Sequence, residues 1–351
     1  MADEKRCDII IPVYNKPDLT GSCLDSIARH THSPYTIILI DNASSEATKK
    51  LLRDFKETHS NVVLIENGEN VGWVKAVNRG IRQSSAPYVC VMNNDTVVET
   101  DDWLARLIGV AEMAGDIGLV NPDFEGKCGC PRAAKPYIEI DFCRGYCIVI
   151  KRSVIDAIGG LDEAYGLGYY DDDDLSVRAI RAGFRCVKAN NVTVRHLRDS
   201  TFSELFADAK RRELHRENRE LFYARWGKRL RLVFIITKKT DRKKLADILL
   251  GIARRQHVVY LWNSTARLGI EHTNIREKRF WAPVSGLLFP VLTGLNRTKR
   301  PGKHYNAIFA DDARLARSIS RAARGGAAVY DFDAEKDAAR IGSIVDAAAR
   351  V

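Results

Sequence analysis

An α/β architecture built on a mostly parallel, doubly wound sheet is predicted for this 351-residue chain. Short apolar runs that read as buried strands alternate with segments of helical spacing, a pattern that calls for right-handed crossovers and parallel pairing. These strands break off at small polar or acidic residues, which in open α/β sheets mark the ends where ligands bind. The alternation resumes beyond residue 230, so a second, smaller Rossmann-like α/β domain is expected, with domains at 1–229 and 230–351.

The first strand is CDIIIPVYN, expected to stop at Pro12, and helical spacing follows from Asp18 to His30. YTIILID is a second strand ending at Asp41, with Ser44 or Ser45 opening a helix. NVVLIE is a third strand, and NVGWVKAVNRGIRQS a helix punctuated by glycine. YVCVM then runs into Asn93-Asn94-Asp95, two amides and a carboxylate, a set that suits an oxygen-ligated divalent cation or a plain helix-capping turn.

Asn121 to Pro136 is rich in Gly, Pro and Cys and reads as a long loop. Asp141 to Lys151 is strand-like around Gly145, and Arg152 to Ile158 is a short helix stopped by Gly159-Gly160. Asp171 to Asp174 follow, four acids opening a helix. Acids there interact favourably with the helix dipole, but four exceed what capping requires. Crowded carboxylates raise one another's pKa, which suits a base able to take a proton from a hydroxyl. A helix from Phe202 to Trp226 closes the first domain. In the second, RLVFIIT, VVYLW, Asn274 to Phe280, NAIFA and AAVYDF are strands separated by helices at 241–255, 311–324 and from 334. Val284 to Leu295 is an apolar stretch followed by Arg297, Lys299 and Arg300, read as a core helix ahead of an interfacial membrane segment.

Charge divides the chain in the same way. Residues 1–229 hold 32 Lys and Arg against 34 Asp and Glu, so the overall +10 leaves +12 for residues 230–351. That excess points to an anionic partner such as a membrane surface or lipid-linked phosphate, or to a solvated basic face. Nucleic acid is disfavoured, because basic and aromatic residues do not interleave in a stripe. The eight cysteines all precede residue 191. Their spacing at Cys128, Cys130, Cys143 and Cys147 matches no strong zinc pattern, so buried thiols are expected. With no secretory leader and no apolar run of about 18 residues, a cytoplasmic location is expected, peripheral at a membrane if the basic domain finds one. A dinucleotide fold is excluded by the turn after the first strand, Pro12-Val13-Tyr14-Asn15-Lys16-Pro17, which has no glycine.

IIIPVYN, IDNAS, Asn70-Val71-Gly72-Trp73 with Ala76 and Asn78, VMNNDT, and GGLDEAYGLGYYDDDDLSVRAIRAGFR occur in the order of the motifs of family 2 glycosyltransferases, which the chain resembles over residues 7–228. The resemblance implies the nucleotide-diphosphosugar transferase (GT-A) fold and an inverting, metal-dependent transfer from a UDP- or dTDP-linked sugar to a glycan or lipid-linked acceptor. It implies that Pro12, Val13, Tyr14, Asn15 and Asp41 hold the donor's base. Asn70, Gly72, Trp73, Lys75 and Asn78 would line its ribose and diphosphate. Asn93, Asn94 and Asp95 stand where the family's DxD motif stands, with Asn93 replacing the first Asp, so Asp95 is the main carboxylate for Mn2+ or Mg2+, joined by His196. Asp172 becomes the general base, with Gly145, Tyr170 and Asp171 on the acceptor side and Asp174 supporting the helix start. NAIFADDARLAR and AAVYDF faintly resemble the amino-terminal half of GT-B glycosyltransferases. The rival expectation is a noncatalytic scaffold or anionic-polymer binder, in which Asn93 marks a degenerate module.

Overall fold

The computed structural model describes residues 6–123, 135–197, 208–295, 303–322 and 326–350. Two compact units emerge, Met1–Phe222 and Tyr223–Val351.

In the first unit, β1 (Cys7–Val13), α1 (Pro17–His30), β2 (Tyr35–Asp41), α2 (Glu46–Thr58), β3 (Val62–Glu66), α3 (Trp73–Gln83) and β4 (Tyr88–Met92) alternate as expected. There follow β5 (Thr96–Val98), α4 (Trp103–Ala111), β6 (Ile117–Asp123), β7 (Tyr137–Ile140), β8 (Cys147–Lys151), α5 (Arg152–Ile158), α6 (Asp171–Arg181), β9 (Arg185–His196) and α7 (Asp208–Trp226). The sheet order is β3-β2-β1-β4-β8-β6-β9-β5, with β7 also on β9. β3, β2, β1 and β4 are parallel, as are β6 and β9, while β8 runs antiparallel between β4 and β6. β1 lies inside the parallel block with every residue buried, which is why it reads as an apolar run interrupted only by Asp8.

Two expectations need correction. Pro12 does not stop β1: its register with β2 continues to Val13, whereas pairing to β4 ends at Ile10. Pro12 therefore sits where the strand has one partner instead of two, and a missing N–H is tolerated. Residues 141–146 are not strand; only Cys147–Lys151 is, because the preceding turn is held by side chains from other elements.

Close approach of α3 to the sheet depends on Gly80. A Cβ there would fall 2.4 Å from Ile10 Cγ2. Gly80→Ala is expected to destabilise the unit by about 1–3 kcal/mol, as overpacking does, and a thermal midpoint equal to wild type would show that the helix can shift at no cost.

The second unit contains β10 (Arg231–Ile236), α8 (Arg242–Arg254), β11 (Val258–Asn263), β12 (Ile275–Arg279), α9 (Ala282–Gly294), β13 (Ala307–Ala310), α10 (Ala313–Ala322), β14 (Ala328–Asp331) and α11 (Ala338–Arg350). Its sheet, β12-β11-β10-β13-β14, is wholly parallel, a Rossmann-like order. The turn after β10 has no glycine, and the Asp311 carboxylate accepts from Thr237 N and Lys238 N at 2.6 and 2.8 Å. An acid of the chain itself thus occupies amides that a phosphate would need.

All six described cysteines are free and buried, as expected of reduced thiols; Cys128 and Cys130 lie outside the described residues.

Candidate active site

The parallel strands β1, β2 and β4 end on one edge of the sheet, and the polar residues after them are tied together there. Asn42 N donates to Val13 O at 2.8 Å. Asn15, in the left-handed region at φ 57°, receives Ser45 N on its side-chain oxygen at 2.8 Å and gives its own N–H to Ser44 Oγ at 3.0 Å. Asp41 is fully buried; one oxygen accepts from Ser44 N at 3.0 Å, and the other has no hydrogen-bond partner among the described residues. A buried acceptor left open is costly unless something fills it, so Asp41 is placed to receive a donor from a ligand.

Gly72 starts α3 at φ +83°, where a side chain is strained and a Cβ would meet Leu167 Cδ2 at 2.8 Å. Asn70 Oδ1 accepts Gly72 N at 2.9 Å, and Asn42 Nδ2 donates to Gly72 O at 3.4 Å. The next residue, Trp73, donates its indole N–H to Asp171 Oδ2 at 3.1 Å. Donor-side and acid motifs, distant in sequence, are therefore adjacent in space.

At the start of α6 the four acids have different tasks. Asp174 is fully buried, takes Arg178 Nε at 2.6 Å, and through that guanidinium holds the carbonyls of Ile158 and Gly160. It supports the helix start. Asp172 accepts Gly145 N on Oδ2 at 2.8 Å and Asp173 N on Oδ1 at 3.0 Å. Burial raises its pKa, and these amides oppose the rise. Asp171 is buried deeper, and burial followed by the Asp172 charge raises its pKa to about 8. Both carboxyls are thus pushed upward, and two like charges side by side titrate as a pair.

The sign of the Asp171 contribution is testable. A folded pKa above the unfolded one means that the native state binds more protons, so stability falls as pH rises from the unfolded value toward about 8. Asp171→Asn keeps an acceptor for Trp73 and removes the penalty. Its thermal midpoint should gain on wild type as pH rises, reaching at least about 1 kcal/mol of added stability above the folded pKa. A gap that does not widen with pH would mean that Asp171 is ionised like an ordinary carboxylate.

Asn93 N donates to Tyr146 O at 2.9 Å, and the Tyr146 ring stacks on His196 with centroids 5.5 Å apart. Pairing of Thr96 with His196 across β5 and β9 fixes the histidine beside the turn. His196 Nε2 stands 3.0 Å from Asp95 Oδ1 and 3.2 Å from Asn93 Nδ2. A neutral Nε2 that accepts from the amide turns a lone pair toward the carboxylate, whereas a protonated one serves the carboxylate and repels the amide's N–H. A divalent cation held by these two residues would remove that conflict, and Asp95 Oδ1 is buried with no hydrogen-bond partner among the described residues. The donor set fits such an ion, with one carboxylate and one imidazole; no group of three His, Cys, Asp or Glu placed to hold a metal ion occurs among the described residues.

Not every expected residue faces this edge. Pro12 and the Val13 side chain are buried in the sheet. Asn78 is spent on Leu161 O at 2.8 Å and Leu161 N at 2.9 Å, holding the loop before the acids. Asn94 Nδ2 is bound to Thr20 Oγ1 at 2.9 Å, so it anchors the turn to α1. Lys75 is exposed on α3. Tyr170, left-handed at φ 67°, packs on His215 and Phe222. Residues 124–134, most of the loop expected between Asn121 and Pro136, lie outside the described residues.

Asn121 and Asn218 hold the site without having been singled out for it. Asn121 clasps the turn before β8 through Arg144 N, Arg144 O and Cys147 O at 2.7, 3.1 and 2.6 Å. Asn218 reaches the carbonyls of Tyr165, Gly168 and Tyr169 at 2.9, 2.7 and 3.2 Å. Both are buried amides in otherwise unrelated segments, and a buried amide must find partners; Asn121, inside the strand IGLVNPD, carried that signal.

Residues 8–128 match the family model described as Glycosyl transferase family 2. Glycosyltransferase AglE of Haloferax volcanii is 32% identical over 120 residues, 33% of this chain and 38% of that protein. The poly(ribitol-phosphate) beta-glucosyltransferase of Bacillus spizizenii is 32% identical over 117 residues, 32% of this chain and 18% of that protein. A solved mannosyltransferase from Pyrobaculum calidifontis, in complex with GDP-Man and Mn2+, aligns with a TM-score of 0.49 at 22% identity, covering 57% of this chain and 59% of that one. The chain thus spans well under half the length of these curated relatives. The family motifs fall on one edge of one sheet, and the segment that the Glycosyl transferase family 2 model matches, residues 8–128, carries β1, β2 and β4, whose ends form that edge.

Proposed function

We propose that the chain is a glycosyltransferase that moves a hexosyl or deoxyhexosyl group from a nucleoside-diphosphate sugar to an acceptor hydroxyl with inversion. The reading is carried by the run of contacts that joins Asn42 to Gly72, Trp73 to Asp171, Asp172 to Gly145, and Tyr146 to both Asn93 and His196. The open oxygen of Asp41 receives an N–H of the base, and Asn70 with the start of α3 faces the ribose and diphosphate. Asp172 takes the proton of the acceptor hydroxyl, whose oxygen attacks the anomeric carbon from the face opposite the leaving diphosphate. Gly145, Tyr170 and Asp171 line the acceptor side. Asp95 and His196 would hold Mn2+ or Mg2+, which when bound neutralises the leaving group.

The donor is proposed to be UDP- or dTDP-linked and the acceptor a glycan or lipid-linked glycan, as in polysaccharide assembly. Screening UDP-, dTDP- and GDP-sugars by thermal shift tests this, since a ligand of the native state raises its stability. One nucleotide class should raise the midpoint, and more strongly with Mn2+. If none does, with or without metal, the donor reading fails. Asn93 favours a noncatalytic reading, under which no nucleotide sugar is hydrolysed, however slowly. For residues 230–351 we propose a separate domain that makes peripheral contact with an anionic surface, on the strength of its charge.

A further inference from the structure

Five large hydrophobic side chains are exposed among the described residues: Val63, Met113, Trp281, Val291 and Leu295. Three of them are Val291 in α9 and the two residues that cap it, with Trp281 72%, Val291 57% and Leu295 54% exposed. Val291 and Leu295 are one turn apart, and Leu288, one turn before Val291, is half-buried on the same side. The opposite side holds Phe289, which stacks on Trp262 at 5.8 Å and meets Phe280 edge-on at 5.0 Å. From Leu288 onward α9 thus has a seated side and an open apolar side, and none of the helix's 13 residues is charged.

The charge lies beside it. β12 is an edge strand whose register sets Arg276 opposite Tyr260 and Lys278 opposite Trp262. The Arg276 guanidinium carbon is 5.6 Å from the Tyr260 ring centroid and Lys278 Nζ is 5.4 Å from that of Phe280. Both cations therefore rise on the sheet face that Phe289 covers. Arg276, Lys278 and Arg279 are all exposed, while Glu277 points away to accept Leu268 N and Gly269 N.

We infer that α9, with Trp281 at its start and the Arg276–Lys278 row along its flank, is a docking face for an anionic lipid bilayer. The open face inserts at the headgroup boundary and the basic row meets lipid phosphates. No described helix is long and apolar enough to cross a membrane, so α9 lies in the interface. A second copy of the chain is the poorer occupant, because it would bring two basic rows together. This narrows the charge-based proposal for the second unit to one surface, and it is independent of the transfer chemistry.

The test is co-sedimentation of the full chain with phosphatidylcholine vesicles, with and without phosphatidylglycerol. Wild type should sediment with the anionic vesicles alone, and less as salt is raised. Trp281→Ser with Leu295→Ser should weaken partitioning about tenfold or more, and Arg276→Gln with Lys278→Gln about tenfold with a shallower salt dependence. Brominated lipid tails should quench the emission of wild type more than that of Trp281→Phe, which reads insertion without a disruptive change. Three results would overturn the inference. These are absence of wild-type sedimentation, binding that the Trp281 and Leu295 changes leave untouched, and a wild-type dimer that those changes dissociate.

Discussion

Asp172→Asn should lower the rate of sugar transfer by about 100- to 10,000-fold, the range over which a positioned general base acts, while leaving donor affinity within about twofold. Gly145 N and Asp173 N hold Asp172 in place, and Asn retains an oxygen for one of them, so the stability cost is about 1 kcal/mol. The change therefore removes the base and leaves the scaffold. Asp171→Asn discriminates within the pair. Burial and the Asp172 charge raise the Asp171 pKa to about 8, so its amide analogue resembles its protonated form and should lose far less activity. The acid limb of the wild-type pH-rate profile should sit above the usual carboxylate range, because burial raises the Asp172 pKa. Steady-state transfer by both variants across pH decides the matter: a larger loss in Asp171→Asn would reverse the assignment.

Why these acids differ could not be read along the chain. Four consecutive Asp have the same local sequence character, and what separates them is their partners, Trp73 for Asp171 and Gly145 for Asp172 from distant segments and Arg178 for Asp174 one turn on in the same helix. The parallel core was legible because the middles of β1, β2 and β4 are buried on both faces and so appear as short apolar runs, Ile9–Val13, Ile37–Ile40 and Tyr88–Met92. The turn at 141–146 was misread as strand because its apolar residues look alike in either state. Its shape is set by Asn121, Asp172 and Ser176 from elsewhere. Asn78 and Asn94 illustrate the converse. Their motif positions were plain, but an amide's partner is a three-dimensional fact, and both bind protein groups. In the second unit, the strand pattern gave a Rossmann-like sheet, while the Asp311 carboxylate that fills the turn after β10 joins residues 74 apart.

Asp95→Ala should weaken Mn2+-dependent donor binding by at least about 100-fold and abolish the metal's effect on the thermal midpoint. Asp95 is the one carboxylate of the turn, and its Oδ1 faces His196 Nε2 at 3.0 Å without a hydrogen bond of its own. Removing it leaves imidazole and amide, a neutral set that binds a hard dication poorly. Asn93→Asp works in the opposite direction. A second carboxylate restores the charge that the usual motif carries and replaces the amide 3.2 Å from Nε2, so Mn2+ affinity should rise about tenfold. Without metal the same change crowds two carboxylates and should lower stability, a loss that saturating Mn2+ reverses. Calorimetry of Mn2+ binding, with and without donor, separates the outcomes. If Asp95→Ala binds metal as wild type does and Asn93→Asp binds it no better, the cation is not held at this turn. The transfer reaction would then rest on Asp172 and protein donors alone.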